Sequence, residues 1–177
     1  MRPSKRDEIL RAAVQLIEHD GLEAVSYEAL AEASGMSKSG IVYHFPSRHE
    51  IMRGIHQYLA DQWEQELERT AGGSADTLDA KTRMRAVVLS LSHSATKAEL
   101  LLEIDARSNA EFSAIWQHVD ERWAPSQDDI ENDDVQRARY LVQLLADGLW
   151  VHDYVHETPL TPSQREVLTD AILALLD

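Results

Sequence analysis

The sequence predicts an all-α protein of about nine helices. Apolar residues recur at three- and four-residue spacing through most of the chain, which is the period of an amphipathic helix rather than of a strand. Helix-breaking residues are few, with seven glycines and five prolines among 177 residues. No strand pattern, internal repeat or low-complexity tract interrupts this reading.

Capping signals place the individual helices. Ser4 with Asp7 forms a capping-box pattern at the start of the first helix, and Gly21 is expected to end that helix. Gly72 and Gly73 form the clearest break, after the long fourth helix. The polar run 126–134 is expected to be an exposed loop. The predicted ranges of the remaining helices are 27–34, 38–44, 48–70, 78–93, 97–107, 110–123, 135–156 and 162–176.

Bulk composition narrows the class of protein. Apolar residues make up 44% of the chain, enough for a packed core, and the absence of cysteine excludes disulfides and thiolate metal sites. No apolar run has the length of a signal peptide or of a bilayer-spanning helix. We therefore expect a soluble cytoplasmic protein that makes no membrane contact.

Taken over the whole chain, the net charge of −14 argues against binding to nucleic acid. The excess acid is unevenly distributed, however: residues 1–54 are nearly neutral, and residues 55–177 carry almost all of it. The sign of the net charge affects how a charged partner is attracted over long distances. It does not decide which face of the protein can bind DNA. DNA binding by the N-terminal part therefore stays open.

The segment 26–48 has the plan of a helix-turn-helix. Two short helices flank a turn that contains Gly35, and Pro46 follows the second helix. In this plan the second helix enters the major groove of DNA. The alternative is an ordinary helical corner in an all-α domain.

The chemistry of the second helix suits DNA. Lys38, Ser39 and Gly40 lie at its start, where free backbone N–H groups and the positive end of the helix dipole favour phosphate or base-edge acceptors. Gly40 lets the backbone approach closely. Tyr43 and His44, one turn later, can donate to phosphate oxygens.

With its leading amphipathic helix, helix-turn-helix, Tyr43-His44-Phe45 signature and long helix that begins Ser47-Arg48, the chain resembles the TetR family of transcriptional repressors. Its YHFPSRH and LVQLLADGLWVHDYVH segments are similar to an actinobacterial, corynebacterial-type multidrug-responsive subgroup. The resemblance implies a DNA-binding domain at 1–47 and a ligand-binding and dimerisation domain at 48–177. The candidate DNA-binding residues are Tyr27, Ser37, Lys38, Ser39, Gly40, Tyr43, His44, Ser47 and Arg48.

The larger domain is expected to hold an effector. Its four tryptophans contrast with only two phenylalanines in the whole chain, and a buried indole needs a partner for its N–H. Aromatic faces in an acidic surround attract cations, so we expect a lipophilic, cationic aromatic effector. The alternative is a tryptophan-rich core. The candidate ligand residues are Trp63, Leu100, Asn109, Phe112, Trp116, Trp150 and Tyr154. Trp123 ends its helix and is not included in this set.

Histidines offer a second hypothesis for the effector. His152 and His156 are spaced to share one helix face and could chelate a divalent metal or sense pH, with His93, His118 or Asp105 as possible further ligands. No third ligand is fixed by spacing, so no metal site is assigned. Surface or interface histidines are the alternative.

The last two helices carry dense apolar stripes. Leu141, Leu144, Leu145 and Leu149 recur on one, and Val167, Leu168, Ile172, Leu175 and Leu176 recur on the other. The resemblance implies that they pair with a second copy as a four-helix bundle, although burial within one chain stays open.

The function predicted is a homodimeric repressor that holds a near-palindromic operator in double-stranded DNA, releases it when the effector binds, and controls an efflux gene. The sequence has no cysteine, no Gly-x-Ser-x-Gly elbow and no phosphate-binding glycine loop. We therefore expect neither enzymatic activity nor a cofactor.

Overall fold

The computed structural model describes residues 4–128 and 130–177. Over these ranges the regular structure consists of nine α-helices and two short 3-10 turns, which confirms the predicted all-α fold. The helices are α1 (Lys5–Asp20), α2 (Tyr27–Ser34), α3 (Lys38–His44), α4 (Arg48–Ala71), α5 (Ala80–His93), α6 (Lys97–Ala106), α7 (Ala110–Trp123), α8 (Asp134–Val155) and α9 (Pro162–Ala174).

The predicted capping signals operate at several helix starts. The Ser4 hydroxyl accepts from the Asp7 N–H, and the Asp7 carboxylate accepts from the Ser4 N–H, both at 3.1 Å. Thr96 and Glu99 form the same reciprocal pair before α6. These local bonds explain why helix starts could be read from sequence, since they depend only on residues three apart.

Two helix boundaries differ from the prediction by two residues, and boundaries of α4, α6 and α8 differ by one. α5 begins at Ala80 rather than near residue 78, because Ala75–Thr77 forms a 3-10 turn and the Asp79 carboxylate caps the helix by accepting from the Thr82 N–H at 2.9 Å. α9 ends at Ala174 rather than at residue 176. In the predicted loop 126–134, residues 126–128 are exposed, Asp134 already belongs to α8, and residue 129 lies outside the described residues.

Packing divides the chain into two compact units. Of the described residues, the first unit comprises 4–61 and 96–116, and the second comprises 62–95, 117–128 and 130–177. α4 and α7 each contribute residues to both units. The division by packing differs from the predicted domain boundary after residue 47, which is a functional boundary and stays a prediction.

In the first unit, α1 packs against α2 and α6, and α2 packs against α3. The core of this unit is drawn from every one of its helices, so the two short helices are held by burial rather than by their own weak helical stability. The buried apolar side chains of this unit include Ile9, Leu10, Ala13, Ile17, Leu30, Ile41, Phe45, Ile51, Ile55 and Leu102.

In the second unit, α5 packs along α8, and α9 packs against both. Its core contains Met84, Val87, Val88, Leu91, Trp123, Val142, Ala146, Leu149, Trp150, Ile172 and Leu173. No helix within the described ranges has the combined length and apolarity needed to cross a bilayer.

Candidate nucleic-acid interface and effector cleft

The turn between α2 and α3 is built by a glycine. Gly35 has a φ of +67°, in the left-handed region that other residues rarely adopt. The Met36 N–H next to it donates to the Ala31 carbonyl at 3.1 Å, which closes the end of α2. The Ser37 hydroxyl then accepts from the Gly40 N–H at 3.1 Å and starts α3. The chain thus forms the helix-turn-helix that the sequence predicted.

Burial fixes which face of α3 is available. Ile41 and Phe45 are fully buried, and they hold one face of the helix and its C-terminal end against the unit. Tyr43 is 83% exposed, and Lys38 and Ser39 are exposed with it. A large aromatic side chain that is left in solvent beside a lysine suits contact with another molecule rather than the core.

Two candidate DNA-binding residues already have partners within this unit. The Tyr27 hydroxyl donates to the Phe45 carbonyl at 2.8 Å, which ties α2 to the end of α3. Lys38 forms an ion pair with Glu28 of α2. The hydrogen bond that Lys38 donates lowers the pKa of Glu28. Glu28 therefore competes with any phosphate for the Lys38 ammonium group.

The start of α4 offers a further set of exposed polar groups. The Ser47 hydroxyl accepts from the Glu50 N–H at 3.1 Å, and Arg48 beside it is exposed. Further along, a Cβ at Gly54 would lie 2.8 Å from Cε1 of Phe45, so α4 approaches the aromatic ring more closely than any other residue would allow. This approach fixes α4 against the end of the candidate reading helix.

A polar cluster that the sequence reasoning missed joins α4, α6 and α7 in the first unit. His56 is fully buried; its Nδ1 accepts from the Trp116 indole N–H at 2.9 Å, and its Nε2 lies 3.3 Å from an oxygen of Asp105. Its ring stacks on Phe112 with the centroids 4.4 Å apart. Desolvation lowers the pKa of His56, against the opposing effect of Asp105. His56 is 49 residues from Asp105 and 60 residues from Trp116 along the chain, so no short-range spacing marks this cluster and only the fold reveals it.

The predicted polar contact at Asn109 is occupied by the chain itself. Its side-chain oxygen accepts from the Glu111 N–H at 2.9 Å and so caps the start of α7. Leu100, on α6, is half-buried. Together with Phe112 and Trp116, these residues belong to the first unit.

The remaining candidate ligand residues belong to the second unit. Trp63 is buried on α4, whereas Trp150 and Tyr154 of α8 line a cleft of about 670 Å³ between α5, α8 and α9. Trp123 donates its indole N–H to Glu64 at 3.3 Å, as a core tryptophan does. The structure thus brings Trp150 and Tyr154 together at one cleft and places Phe112 and Trp116 in the His56 cluster.

Arg165, which the sequence reasoning did not single out, lines the cleft and forms hydrogen bonds with α8. Its guanidinium group donates to the Leu149 carbonyl at 3.0 Å and to Asp153 at 2.6 Å. Asp153 also accepts from the Leu160 N–H at 3.0 Å. That backbone bond, with smaller contributions from His152 and Arg165, lowers the pKa of Asp153 to about 2.

The rings of His152 and His156 lie together, with their centroids 4.5 Å apart. The Nδ1 atom of His152 is 3.0 Å from Asp153, which is already paired with Arg165. In the part of the chain that the structure describes, no group of three or more His, Cys, Asp and Glu side chains could hold a metal ion. The described geometry therefore supplies no third ligand for the metal hypothesis.

This fold with an exposed reading helix defines a helix-turn-helix DNA-binding protein. The family described as "Bacterial regulatory proteins, tetR family" matches residues 9–55, and the family described as "Tetracyclin repressor-like, C-terminal domain" matches residues 80–177. The second match covers more than half of the chain, so the chain belongs to the TetR family of DNA-binding regulators.

Individual relatives are more distant. The nucleoid occlusion factor SlmA of Aliivibrio fischeri (strain MJ11) is 28% identical over 78 residues, which are 44% of this chain and 40% of SlmA. The chain thus matches less than half the length of that relative.

Solved structures share the fold over nearly the full length. A transcriptional regulator from Saccharomonospora viridis, in complex with choline, is 20% identical with a TM-score of 0.72 and coverage of 94% of both chains. The multidrug binding protein EbrR, complexed with malachite green, is 16% identical with a TM-score of 0.65 and coverage of 99% of both chains. At these identities the likeness concerns the fold.

Proposed function

We propose that the protein is a homodimeric transcriptional repressor that acts in the cytoplasm, holds a near-palindromic operator and releases it when an organic cation binds. The proposal that the protein binds DNA rests on the exposed surface of α3, where Lys38, Ser39 and Tyr43 project beside the start of α4. The groups offered there are a cation, hydroxyls and a helix start, all of which suit phosphate oxygens.

The dimer is supported by apolar side chains that the protomer leaves exposed. They lie on the outward faces of α8 and α9, whereas Leu149 and Ile172 of the predicted stripes are buried in the core. Gly148 lies within the α8 stripe, and a Cβ there would meet nothing within 4 Å, so a second helix can approach closely. The exposed apolar residues on these two helices, or directly after the last residue of α9, include Leu141, Leu144, Leu145, Val155, Val167, Leu168 and Leu175.

The choice of a cationic effector is supported by charge and by the fold neighbours. Residues 55–177 carry most of the net charge of −14, which favours cations over anions. Choline and malachite green, bound by two of the fold neighbours, are both organic cations. We also propose that the protein belongs to an actinobacterial multidrug-responsive subgroup and that it controls an efflux gene.

Release requires only that the effector prefer the conformation that does not fit DNA. A preference of about 3 kcal/mol shifts occupancy by roughly two orders of magnitude. α4 contributes residues to both units, and its first turns carry Ser47 and Arg48 of the candidate interface. We propose that α4 transmits the change.

Footprinting on the DNA upstream of the protein's own gene tests the proposed operator binding. Tyr43→Phe removes one hydroxyl from an exposed side chain, and we expect it to weaken binding about tenfold if that hydroxyl meets a phosphate. Lys38→Ala should weaken binding similarly and reduce the salt dependence by about one counterion. Tyr140→Phe, the same change on α8, is the control. Full affinity in both α3 variants would refute this reading surface.

Sedimentation tests the dimer. Leu144→Glu places a charge within the exposed stripe and should raise the dimer dissociation constant at least about tenfold, with loss of operator binding. Ile104→Glu, at an exposed apolar position on α6, should leave the dimer intact. A Leu144→Glu protein that stays dimeric would place the interface elsewhere.

A further inference from the structure

The cleft between α5, α8 and α9 has the size of a ligand site. Its volume of about 670 Å³ is within the range of pockets that hold drug-sized molecules. The Arg165 hydrogen bonds to Asp153 and to the Leu149 carbonyl join α9 to α8 beneath it. The floor of the cleft is therefore held in place by the chain's own contacts.

The charge that borders the cleft is negative. Arg165 and Asp153 neutralise each other as an ion pair of 2.6 Å. Glu166 and Asp170, four residues apart on α9, also line the cleft, and within the described residues neither has a basic partner. The cleft thus presents two uncompensated carboxylates.

An aromatic wall stands on the α8 side of the same cleft. Trp150 and Tyr154 are four residues apart and so project from the same helix face. Tyr154 is partly exposed where it lines the cleft. Aromatic faces with carboxylates across a cleft are the groups that stabilise an organic ammonium ion.

A buried hydroxyl in the cleft favours a ligand that carries a hydrogen-bond acceptor. Ser92 of α5 lines the cleft and is 2% exposed, and its Oγ has no hydrogen-bond partner among the residues described. An unpaired buried hydroxyl is unfavourable, so a ligand oxygen that accepts from it would bind more tightly.

The cleft and the exposed apolar stripe occupy different flanks of the same helices. At 100° per residue, Glu166 and Asp170 fall on one side of the buried face of α9, and Leu168 and Leu175 fall on the other side. The apolar flank can pair with a second copy while the acidic flank keeps facing the cleft.

We infer that this cleft binds an organic cation that also carries a hydroxyl or carbonyl oxygen, with its ammonium group between the Trp150–Tyr154 wall and the Glu166–Asp170 pair, and its oxygen at Ser92. The inference rests on the proposed effector response and names the site where that effector binds. It differs from a site around the His56 cluster, where the other predicted aromatic residues lie.

Calorimetry with benzoylcholine tests the inference, because this molecule joins a quaternary ammonium group, an ester oxygen and an aromatic ring. Its neutral analogue 3,3-dimethylbutyl benzoate, with carbon in place of nitrogen, should bind at least about tenfold more weakly. Glu166→Gln with Asp170→Asn should weaken benzoylcholine binding about tenfold. Glu121→Gln with Glu157→Gln removes the same charge from exposed positions outside the cleft and should change the affinity less than about twofold.

Two further variants separate the contacts. Tyr154→Leu should weaken the binding of benzoylcholine about two- to tenfold more than it weakens the binding of the neutral analogue. Ser92→Ala should weaken benzoylcholine about three- to tenfold while it leaves the protein as stable as before or more so, because the hydroxyl has no partner to lose.

Unchanged benzoylcholine affinity in the Glu166→Gln/Asp170→Asn protein would overturn the inference, as would equal binding of the two analogues. A wild-type protein that does not bind benzoylcholine would overturn it too. Operator binding, measured on the same proteins in the absence of any cation, reports separately on the proposed function. A folded protein that binds DNA but fails at the cleft would therefore refute only the site.

Discussion

The indole N–H of Trp116 on α7 donates to Nδ1 of His56 on α4 at 2.9 Å, in the interior of the first unit. Because Nδ1 accepts, the proton of the neutral ring is on Nε2, which faces Asp105 at 3.3 Å. One buried imidazole thus links α4 to both α6 and α7. The bond uses the N–H of Trp116, a residue that the sequence analysis assigned to effector binding.

Trp116→Phe is expected to lower the free energy of unfolding by about 1–3 kcal/mol, since it leaves the buried Nδ1 of His56 without a donor. Chemical denaturation of the purified protein measures this. Trp123→Phe is the matched control, because its N–H bond to Glu64 is the longer one at 3.3 Å and involves a partly exposed carboxylate. An unchanged midpoint for Trp116→Phe, or a larger loss for Trp123→Phe, would contradict the role assigned to this hydrogen bond.

His56 should make stability depend on pH. Its pKa is lower in the folded protein than in the unfolded chain, so the unfolded state binds more protons as the pH falls below the ordinary histidine range. The contribution of His56 is therefore fully present above about pH 6.5 and is lost on acidification below it. Thermal melting from pH 7.5 to 5.5 should show a smaller decline for His56→Gln than for the wild type. Equal declines would assign the acid sensitivity to other groups.

Glu28→Gln should tighten operator binding about two- to fivefold at low salt, because it frees Lys38 and removes a negative charge from the candidate interface. Glu32→Gln, on the same helix and without an ion pair among the described residues, controls for the charge alone. Fluorescence anisotropy with labelled operator DNA measures both. Equal tightening by the two variants would show that the ion pair itself has no effect.

Gly54→Ala should destabilise the protein by about 1–3 kcal/mol, since its Cβ would lie 2.8 Å from the Phe45 ring and 3.2 Å from Leu10. Gly148→Ala is the matched change in another helix, where a Cβ meets nothing within 4 Å, and it should stabilise the isolated protomer by up to about 1 kcal/mol. Denaturation at protein concentrations well below the dissociation constant of the proposed dimer compares them. A neutral Gly54→Ala would show that Phe45 can move without cost.

The local pattern of the chain determined the helices and the reading motif. Capping pairs such as Ser4 with Asp7, the turn glycine at position 35 and the spacing of Ile41 and Phe45 act over a few residues, so they are legible without a fold. The prediction placed the start of α5 too early, because the chain forms a 3-10 turn at Ala75–Thr77 before the helix begins.

Tertiary structure alone decided which distant side chains meet. It placed Trp116 on His56, paired Arg165 with Asp153, and brought Trp150, Tyr154, Glu166 and Asp170 to the lining of one cleft. These partners are separated by helices whose packing depends on the whole core, and no short-range spacing encodes such a distance. The sequence therefore determined that the chain carries a helix-turn-helix, whereas the packing of α5, α8 and α9 decided where the cleft forms that we propose as the cation site.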